Sequence, residues 1–205
     1  KVTSPKNLRS EANSSWTGWR ETLTNPIVAK ACILIFFLEM NQFALIFTLV
    51  PLYAKNVGLS IFEIGLLTAG TGIGMAMGTA IGGWSSDRFK RHFTLPISFA
   101  IISLITLLLP IIQTFAVLLF SLLIDGIAYG VIFCIALIIV IQNVPTYRKG
   151  MAIGTFRMIR SCGGILGPIL AVTIMATYGI NAPFYTIAVL LSLNVPISLL
   201  LDKRK

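Results

Sequence analysis

The sequence predicts an all-α protein that crosses a lipid bilayer six times, and three observations support this fold class. Hydrophobic residues make up 56% of the 205 residues and charged residues only 11%, whereas a soluble domain carries roughly 25% charged residues. Six apolar stretches are each long enough to cross a hydrocarbon core of about 30 Å as a helix. Most basic residues lie at the ends of these stretches, so the net charge of +9 is better explained by membrane orientation than by nucleic-acid binding.

The six helices are predicted at residues 26–54, 60–84, 93–112, 115–142, 151–177 and 183–201. Asn25 is the expected N-cap of the first helix, with Pro26 as its first residue. Ser60 and Glu63 have the spacing of a capping box at the start of the second helix. The chain is therefore divided into a polar connector (1–25), a six-helix membrane unit (26–202) and a short tail (203–205), and it is interpreted as a piece of a longer protein.

Basic residues indicate how the predicted bundle is oriented. They concentrate on the side that holds both chain ends, while the opposite side has only Lys55. Positively charged loops remain in the cytoplasm. Both ends are therefore predicted to be cytoplasmic, in a cell (plasma or inner) membrane.

Glycine is distributed unevenly among the predicted helices. The second helix has a glycine at every fourth position, which places one bare stripe along its length: Gly70, Gly74, Gly78 and Gly82. The fifth helix has Gly163, Gly167 and Pro168, and the first, third and sixth helices have no glycine. Close packing against small residues drives helix association in lipid, so we expect the second and fifth helices to make close contacts and the third and sixth to face lipid.

Six polar residues interrupt the apolar helices: three in the first, one in the fourth and two in the fifth. They are Glu39, Asn41, Gln42, Asp125, Arg157 and Arg160. Helical rise places the glutamate about 18 Å, the aspartate about 15 Å and the second arginine about 14 Å from the start of their helices, which is close to mid-depth. They form either a water-accessible site in a solute and proton pathway or a set of ion pairs that locks the first, fourth and fifth helices together.

Enzyme chemistry has no support in the sequence. The only histidine, His92, lies in a predicted loop, and no nucleophile–base pair or metal-ligand spacing is present. We therefore expect a protein that is not an enzyme and that holds no metal or cofactor.

The end of the second predicted helix resembles the loop signature of the major facilitator superfamily. That signature places glycine, aspartate and basic residues at fixed spacing, and the stretch G-W-S-S-D-R-F-K-R-H follows it, with Lys90 where the family has glycine. The matching positions are Gly83, Asp87, Arg88, Arg91 and His92. The fifth helix is similar to the glycine–proline antiporter signature of the same family, with Ala171-Val172 in place of its final glycine pair. The matching positions there are Gly154, Gly163, Gly167 and Pro168.

The resemblance implies one half of a carrier with twelve helices in two halves. Three features favour the second half: the altered loop signature, the stretch L-L-I-D-G where the first half has an arginine, and a leader, W-R-E-T-L-T-N-P, similar to the central cytoplasmic loop. In the family, helices one and four line the solute cavity, helices three and six lie outside, and helices two and five face the other half. The resemblance thus implies inter-half packing by Gly70, Gly74, Gly78, Gly82, Gly163, Gly167 and Pro168.

The resemblance also implies a role for the loop. In the family, the aspartate matching Asp87 holds the cytoplasmic side closed through charge and helix-end contacts. We therefore expect Asp87 to pair with a helix N-terminus or with Arg148, Arg88 or Arg91.

The expected function is secondary transport by alternating access, with the site between two halves near mid-membrane. The expected partners are the lipid bilayer, a small-molecule solute, protons and the N-terminal half, with Glu39, Asn41, Gln42 and Asp125 facing the cavity. Proton-coupled efflux of small amphipathic compounds is the first hypothesis. Proton-coupled uptake of a sugar or organic acid, and a non-transporting six-helix membrane subunit, are the alternatives.

Overall fold

The structure, a computed structural model, describes residues 24–88 and 91–199, without the side chains of residues 87, 88, 91 and 92. Within these ranges it contains helices and no strand. Six segments are long and apolar enough to cross a membrane. The predicted fold class is therefore confirmed, while residues 1–23 of the connector and the tail lie outside the described residues.

The six membrane helices follow one another through short turns, and we number them in chain order. They are α1 (Pro26–Asn56), α2 (Ile61–Arg88), α3 (Arg91–Leu108), α4 (Phe115–Gln142), α5 (Lys149–Tyr178) and α6 (Ala182–Leu199). Short 3-10 turns follow α3 and precede α5. The predicted bounds of α4 are confirmed, and α2 continues four residues beyond the predicted end at Trp84. Within this extension, the hydroxyl of Ser85 donates to the carbonyl of Gly82 at 3.2 Å.

Both predicted N-terminal caps are present. The Asn25 side chain accepts a hydrogen bond from the backbone N–H of Ile27 at 3.0 Å. In the capping box, the backbone N–H of Ser60 donates to Glu63 Oε2 at 2.8 Å, and the N–H of Glu63 donates to Ser60 Oγ at 3.3 Å. These bonds satisfy backbone donors that a helix start otherwise leaves unpaired.

Two of the membrane helices are irregular where the sequence predicts continuous helices. In α1, the segment Phe43–Leu49 is a π-helix, and Pro51 follows it. Pro51 has no N–H to donate to the carbonyl four residues earlier, which is that of Phe47 in the π-helical segment. In α6 the regular helix breaks at Leu193, between Ala182–Ser192 and Asn194–Leu199, and Pro196 likewise cannot donate to the carbonyl of Ser192.

The most extensive helix contact joins α2 to α4 and uses glycines from both helices. A Cβ atom at Gly74 or Gly78 would overlap the backbone carbonyl oxygen of Leu123 or Ile127 in α4, and a Cβ at Gly130 would overlap the carbonyl oxygen of Met75 in α2. The two backbones are therefore in direct contact, as expected for small residues at a helix interface in lipid.

A second close contact joins α5 to α1. A Cβ atom at Gly163 would overlap the carbonyl oxygen of Phe36, and one at Gly167 would overlap the carbonyl oxygen of Met40. We call these two contacts the α2–α4 seam and the α1–α5 seam. Together they confirm that the second and fifth helices make close contacts.

These seams correct the predicted partner of the glycines. The bare faces of α2 and α5 meet α4 and α1 of the same six-helix unit, so they are not left open for a second half. The affected positions are Gly70, which faces the side chain of Leu119, and Gly74, Gly78, Gly82, Gly163 and Gly167. Spacing identifies a bare helix face but does not identify the neighbouring helix that covers it. The half-buried Pro168 stays a predicted inter-half contact.

The helices without glycine pack against each other through larger side chains. α3 contacts α6, where Ser103 Oγ donates to the carbonyl of Ala188 at 2.9 Å. In the 3-10 turn that follows α3, the carbonyl of Pro110 accepts a hydrogen bond from the hydroxyl of Tyr53 in α1 at 2.8 Å. The buried apolar core is continuous through all six helices.

Substitution of a seam glycine tests this packing. Gly78→Ala places a methyl group against the α4 backbone and is expected to lower the free energy of unfolding by about 1–3 kcal/mol, as overpacking does. Gly154→Ala in α5 is the matched control, because a Cβ there meets nothing within 4 Å. Thermal unfolding in detergent compares the two variants, and equal melting temperatures would contradict the α2–α4 seam.

Candidate functional site

An ion pair near the middle of the bundle joins α1 to α5. Arg160 Nε lies 2.8 Å from Glu39 Oε1. The other carboxylate oxygen, Oε2, accepts a hydrogen bond from the hydroxyl of Tyr129 in α4. Glu39 therefore connects three helices through its two oxygens, and we call these three residues the Glu39 cluster.

Aromatic rings support the cationic member of this cluster. The Arg160 guanidinium lies over the ring of Phe133, with its Cζ atom 5.0 Å from the ring centroid. Phe133 in turn contacts Phe156 at a centroid distance of 6.3 Å. A cation over a ring face gains electrostatic stabilisation, most strongly where water is excluded.

The two charges of the pair differ in exposure. The side chain of Glu39 is 3% exposed and that of Arg160 is 30% exposed. The carboxylate is thus enclosed by protein while the guanidinium borders open space. A solute that enters this space meets the arginine before the glutamate.

Two adjoining cavities meet at the Glu39 cluster. The first, of about 540 Å³, lies on the α5 side; its lining residues are Glu39, Phe43, Arg157, Arg160, Ser161, Gly164 and Ile165. The second, of about 310 Å³, extends towards α2; residues that line it include Gln42, Phe47, Thr71, Gly72, Met75 and Tyr129. Glu39, Phe43 and Arg160 line both cavities. Volumes of this size are typical of small-molecule sites.

The π-helical segment of α1 shapes this space. It begins at Phe43, directly after Gln42, and it contributes Phe43, Ile46 and Phe47 to the cavity walls. π-helical turns inside α-helices are frequently found at functional sites. The π-helical segment of α1 therefore lies next to the Glu39 cluster.

The structure brings together four of the six polar residues predicted from the sequence. Glu39, Gln42, Arg157 and Arg160 line the two cavities. The same glutamate joins three helices and borders a cavity, while its part in a solute and proton pathway stays a prediction.

Asn41 and Asp125 are placed differently from the prediction that they face the cavity. Both side chains are fully buried, at 0% exposure, and they line neither of these cavities. Within the described part of the chain, neither side chain has a hydrogen-bond partner. The packing of the helices turns both side chains into the interior, so their role in a pathway stays a prediction.

Tyr129 and Phe133 belong to the site and are absent from the sequence prediction. A signal for the tyrosine was present: it lies one helical turn beyond Asp125, so the two residues share a helix face. Tyrosine inside an apolar helix needs a partner for its hydroxyl when buried. Tyr129 is 1% exposed and finds that partner in Glu39.

The loop signature is described only in part. Gly83 is half-buried and a Cβ there would meet nothing within 4 Å, and the Arg148 guanidinium lies 5.1 Å from the ring centroid of Tyr147. The side chains of Asp87, Arg88 and Arg91 lie outside the described residues. The pairing expected for Asp87 stays a prediction.

Six apolar helices, four of which line a cavity that contains the Glu39–Arg160 ion pair, define a multi-pass membrane protein with a charged site. The family model of the Major Facilitator Superfamily matches residues 31–205. The chain therefore belongs to this superfamily of membrane transporters, as its two sequence signatures suggest.

Two relatives are similar over most of this chain. The quinolone resistance protein NorA of Staphylococcus aureus is 26% identical over 157 residues, which are 74% of this chain and 40% of NorA. The cis,cis-muconate transport protein of Acinetobacter baylyi is 31% identical over 147 residues, which are 67% of this chain and 35% of that protein. The chain thus spans less than half the length of either relative.

The two arginines of the cavity are expected to differ in their effect on stability. Arg160→Gln removes the partner of a buried carboxylate, which costs about 3–5 kcal/mol in a fully buried pair and less here, because Arg160 is partly exposed. Arg157→Gln is the matched control: the described residues offer its side chain no ion pair or hydrogen bond. Thermal unfolding in detergent should show a lower melting temperature for Arg160→Gln only.

A double substitution checks that the loss comes from the ion pair. Glu39→Gln/Arg160→Gln removes both charges, so it should be less destabilised than the sum of the two single variants. Additive effects would mean that the pair does not stabilise the contact between α1 and α5.

Proposed function

We propose that this chain is the second six-helix half of a secondary transporter, which moves a small organic solute by alternating access in exchange for, or together with, protons. The observation that carries the proposal is the Glu39 cluster: an ionisable pair, held by three helices, that borders a cavity in the middle of the bundle. Ionisable residues inside membrane helices are costly and usually mark a pathway for solute or protons.

The geometry links the charge of Glu39 to the arrangement of the helices. A proton on Glu39 would remove the charge that attracts Arg160 and would change the hydrogen bond with Tyr129. These two contacts connect α1 to α5 and α1 to α4. Any state that binds the proton more strongly would be favoured by protonation, which is the property that a proton-coupled carrier needs.

We also propose which surface meets the first half. Because the stripe from Gly70 to Gly82 is covered by α4, the inter-half surface of α2 is its exposed side, where Gly65, Ala69, Gly72 and Ala76 follow one another. Gly65 and Gly72 have open space around the missing side chain, and Gly72 borders the second cavity. The occupant would be the other half of the same carrier, since the chain matches only 40% and 35% of its two relatives.

Two directions of transport remain as candidates. Proton-coupled export of small amphipathic compounds is the first, supported by the relative named for quinolone resistance and by the apolar cavity walls. Uptake of an organic acid is the second, supported by two arginines in the cavity and by the relative named for muconate transport. The polar residues Asn41, Gln42 and Asp125 would complete the pathway in either direction.

The proposed setting is a cell membrane with both chain ends in the cytoplasm. The support is the concentration of basic residues on one side of the bundle. On that side, Gly83, Asp87, Arg88, Arg91 and Arg148 would form the cytoplasmic gate. The coding sequence upstream of Lys1 tests the two-half arrangement, because a further six apolar spans are expected there.

Solute-driven proton flux tests the transport proposal. The complete protein that carries this chain is reconstituted in vesicles that enclose a pH-sensitive dye, and an amphipathic amine or an aromatic carboxylate is added. The wild type is expected to change the internal pH when its solute is added, and Glu39→Gln is expected to abolish the change.

Glu63→Gln is the matched control for this experiment. It makes the same chemical change at the start of α2, and glutamine retains the capping box, so its proton flux should equal that of the wild type. Undiminished flux in Glu39→Gln would remove the glutamate from the mechanism. A wild type that gives no flux with either class of solute would favour a non-transporting subunit.

A further inference from the structure

The charges that line the larger cavity do not balance. Its ionisable lining residues are one carboxylate, Glu39, and two guanidiniums, Arg157 and Arg160. Both oxygens of Glu39 are already bonded, one to Arg160 and one to Tyr129. Arg160 is therefore neutralised locally, whereas Arg157 has no acidic partner in the described ranges, residues 24–88 and 91–199.

From this imbalance we infer that the cavity binds organic anions, with the carboxylate of the solute held at Arg157 beside Arg160. The inference rests on the proposed transport function and names its solute class. A guanidinium offers a planar set of donors that matches a carboxylate with two parallel hydrogen bonds. An anion at this position would supply the negative charge that the cavity lacks.

The position of Arg157 suits this role. It lies three residues before Arg160, so the two side chains share one face of α5. The side chain of Arg157 is exposed and lines the cavity. Further along α5, Gly164 also lines the cavity, where its backbone packs against the ring of Phe43.

The residues that line the two cavities indicate the chemical character of the rest of the solute. Phe43 and Ile165 line the first cavity, and Phe47, Ile46 and Met75 line the second. These side chains favour an apolar or aromatic body attached to the carboxylate. The hydroxyls of Thr68 and Thr71 both donate to carbonyls within their own helix, so they present oxygen acceptors rather than free donors to that body.

A cationic solute fits the same cavity poorly. To reach Glu39 it would have to approach a carboxylate that is 3% exposed and already bonded to Arg160 and Tyr129. It would also lie next to the uncompensated charge of Arg157, and like-charge contacts are unfavourable. The arrangement therefore discriminates in favour of anions.

Ligand-induced stabilisation tests this inference with three compounds that differ in one group. Phenylacetate, phenylacetamide and phenethylamine are each titrated against the complete protein in detergent, and the melting temperature is measured at a fixed pH. A compound that binds the folded state raises the melting temperature, and the rise grows with the ratio of its concentration to its Kd. The carboxylate is expected to raise it, and the neutral amide and the amine are not.

Variants of Arg157 assign the effect to this residue. Arg157→Gln is expected to weaken phenylacetate binding roughly ten- to a hundredfold, the usual effect of losing a charge-assisted hydrogen bond. Arg157→Lys keeps the charge but loses the planar fork, so it should recover part of the affinity. Lys55→Gln removes a positive charge from the far end of α1 and should bind as the wild type does.

The outcomes separate this inference from the transport proposal. Equal affinity of Arg157→Gln and the wild type, stronger stabilisation by phenethylamine, or no stabilisation by phenylacetate at millimolar concentration would each overturn the inference. Proton flux driven by amines alone would overturn it while leaving transport in place. Carboxylate binding without any proton flux would support the anion site and contradict the transport proposal.

Discussion

The structure depends on one constraint: the charge of a glutamate inside an apolar bundle must be neutralised by groups directly beside it. Water does not reach the enclosed side of Glu39, so Arg160 and Tyr129 supply the compensating charge and hydrogen bond. Arg160 reaches Glu39 because α5 lies directly on the backbone of α1. The glycines that allow this approach contact Phe36 and Met40, which lie before and after Glu39 in the sequence. The α1–α5 seam and the ion pair are therefore parts of one arrangement.

The two glycine seams divide the bundle into helix pairs, α1 with α5 and α2 with α4. The second cavity lies at the junction of these pairs, because its walls come from all four helices. The hydrogen bond from Tyr129 to Glu39 crosses this junction, from one pair to the other. A movement of one pair against the other would keep both seams intact and would have to break or remake this bond. The same four helices thus form two closely packed pairs that this hydrogen bond connects.

Asp125 and Asn41 differ from Glu39 because these two polar side chains are buried in the same bundle without a partner among the described residues. Both are fully buried, and within the described ranges both lack a hydrogen-bond partner. Such groups are rare in folded proteins, and they call for a physical reason such as stored strain or a role in another state. Asp125 shares a helix face with Tyr129, one turn from the Glu39 cluster. A rearrangement at the nearby junction of the helix pairs would be one way for Asp125 to gain a hydrogen-bond partner.

The sequence by itself determined the six membrane spans, the helix caps, the superfamily and the depth of the polar residues. These follow from hydropathy, from local hydrogen bonds and from helical rise, which act within one segment at a time. Only the tertiary structure decided which helices the glycine faces meet, that Glu39 pairs with Arg160 and Tyr129, and that Asp125 turns into the packed interior. Helical spacing gives the direction of a side chain relative to its own helix. Which neighbour lies in that direction depends on how all six helices pack together.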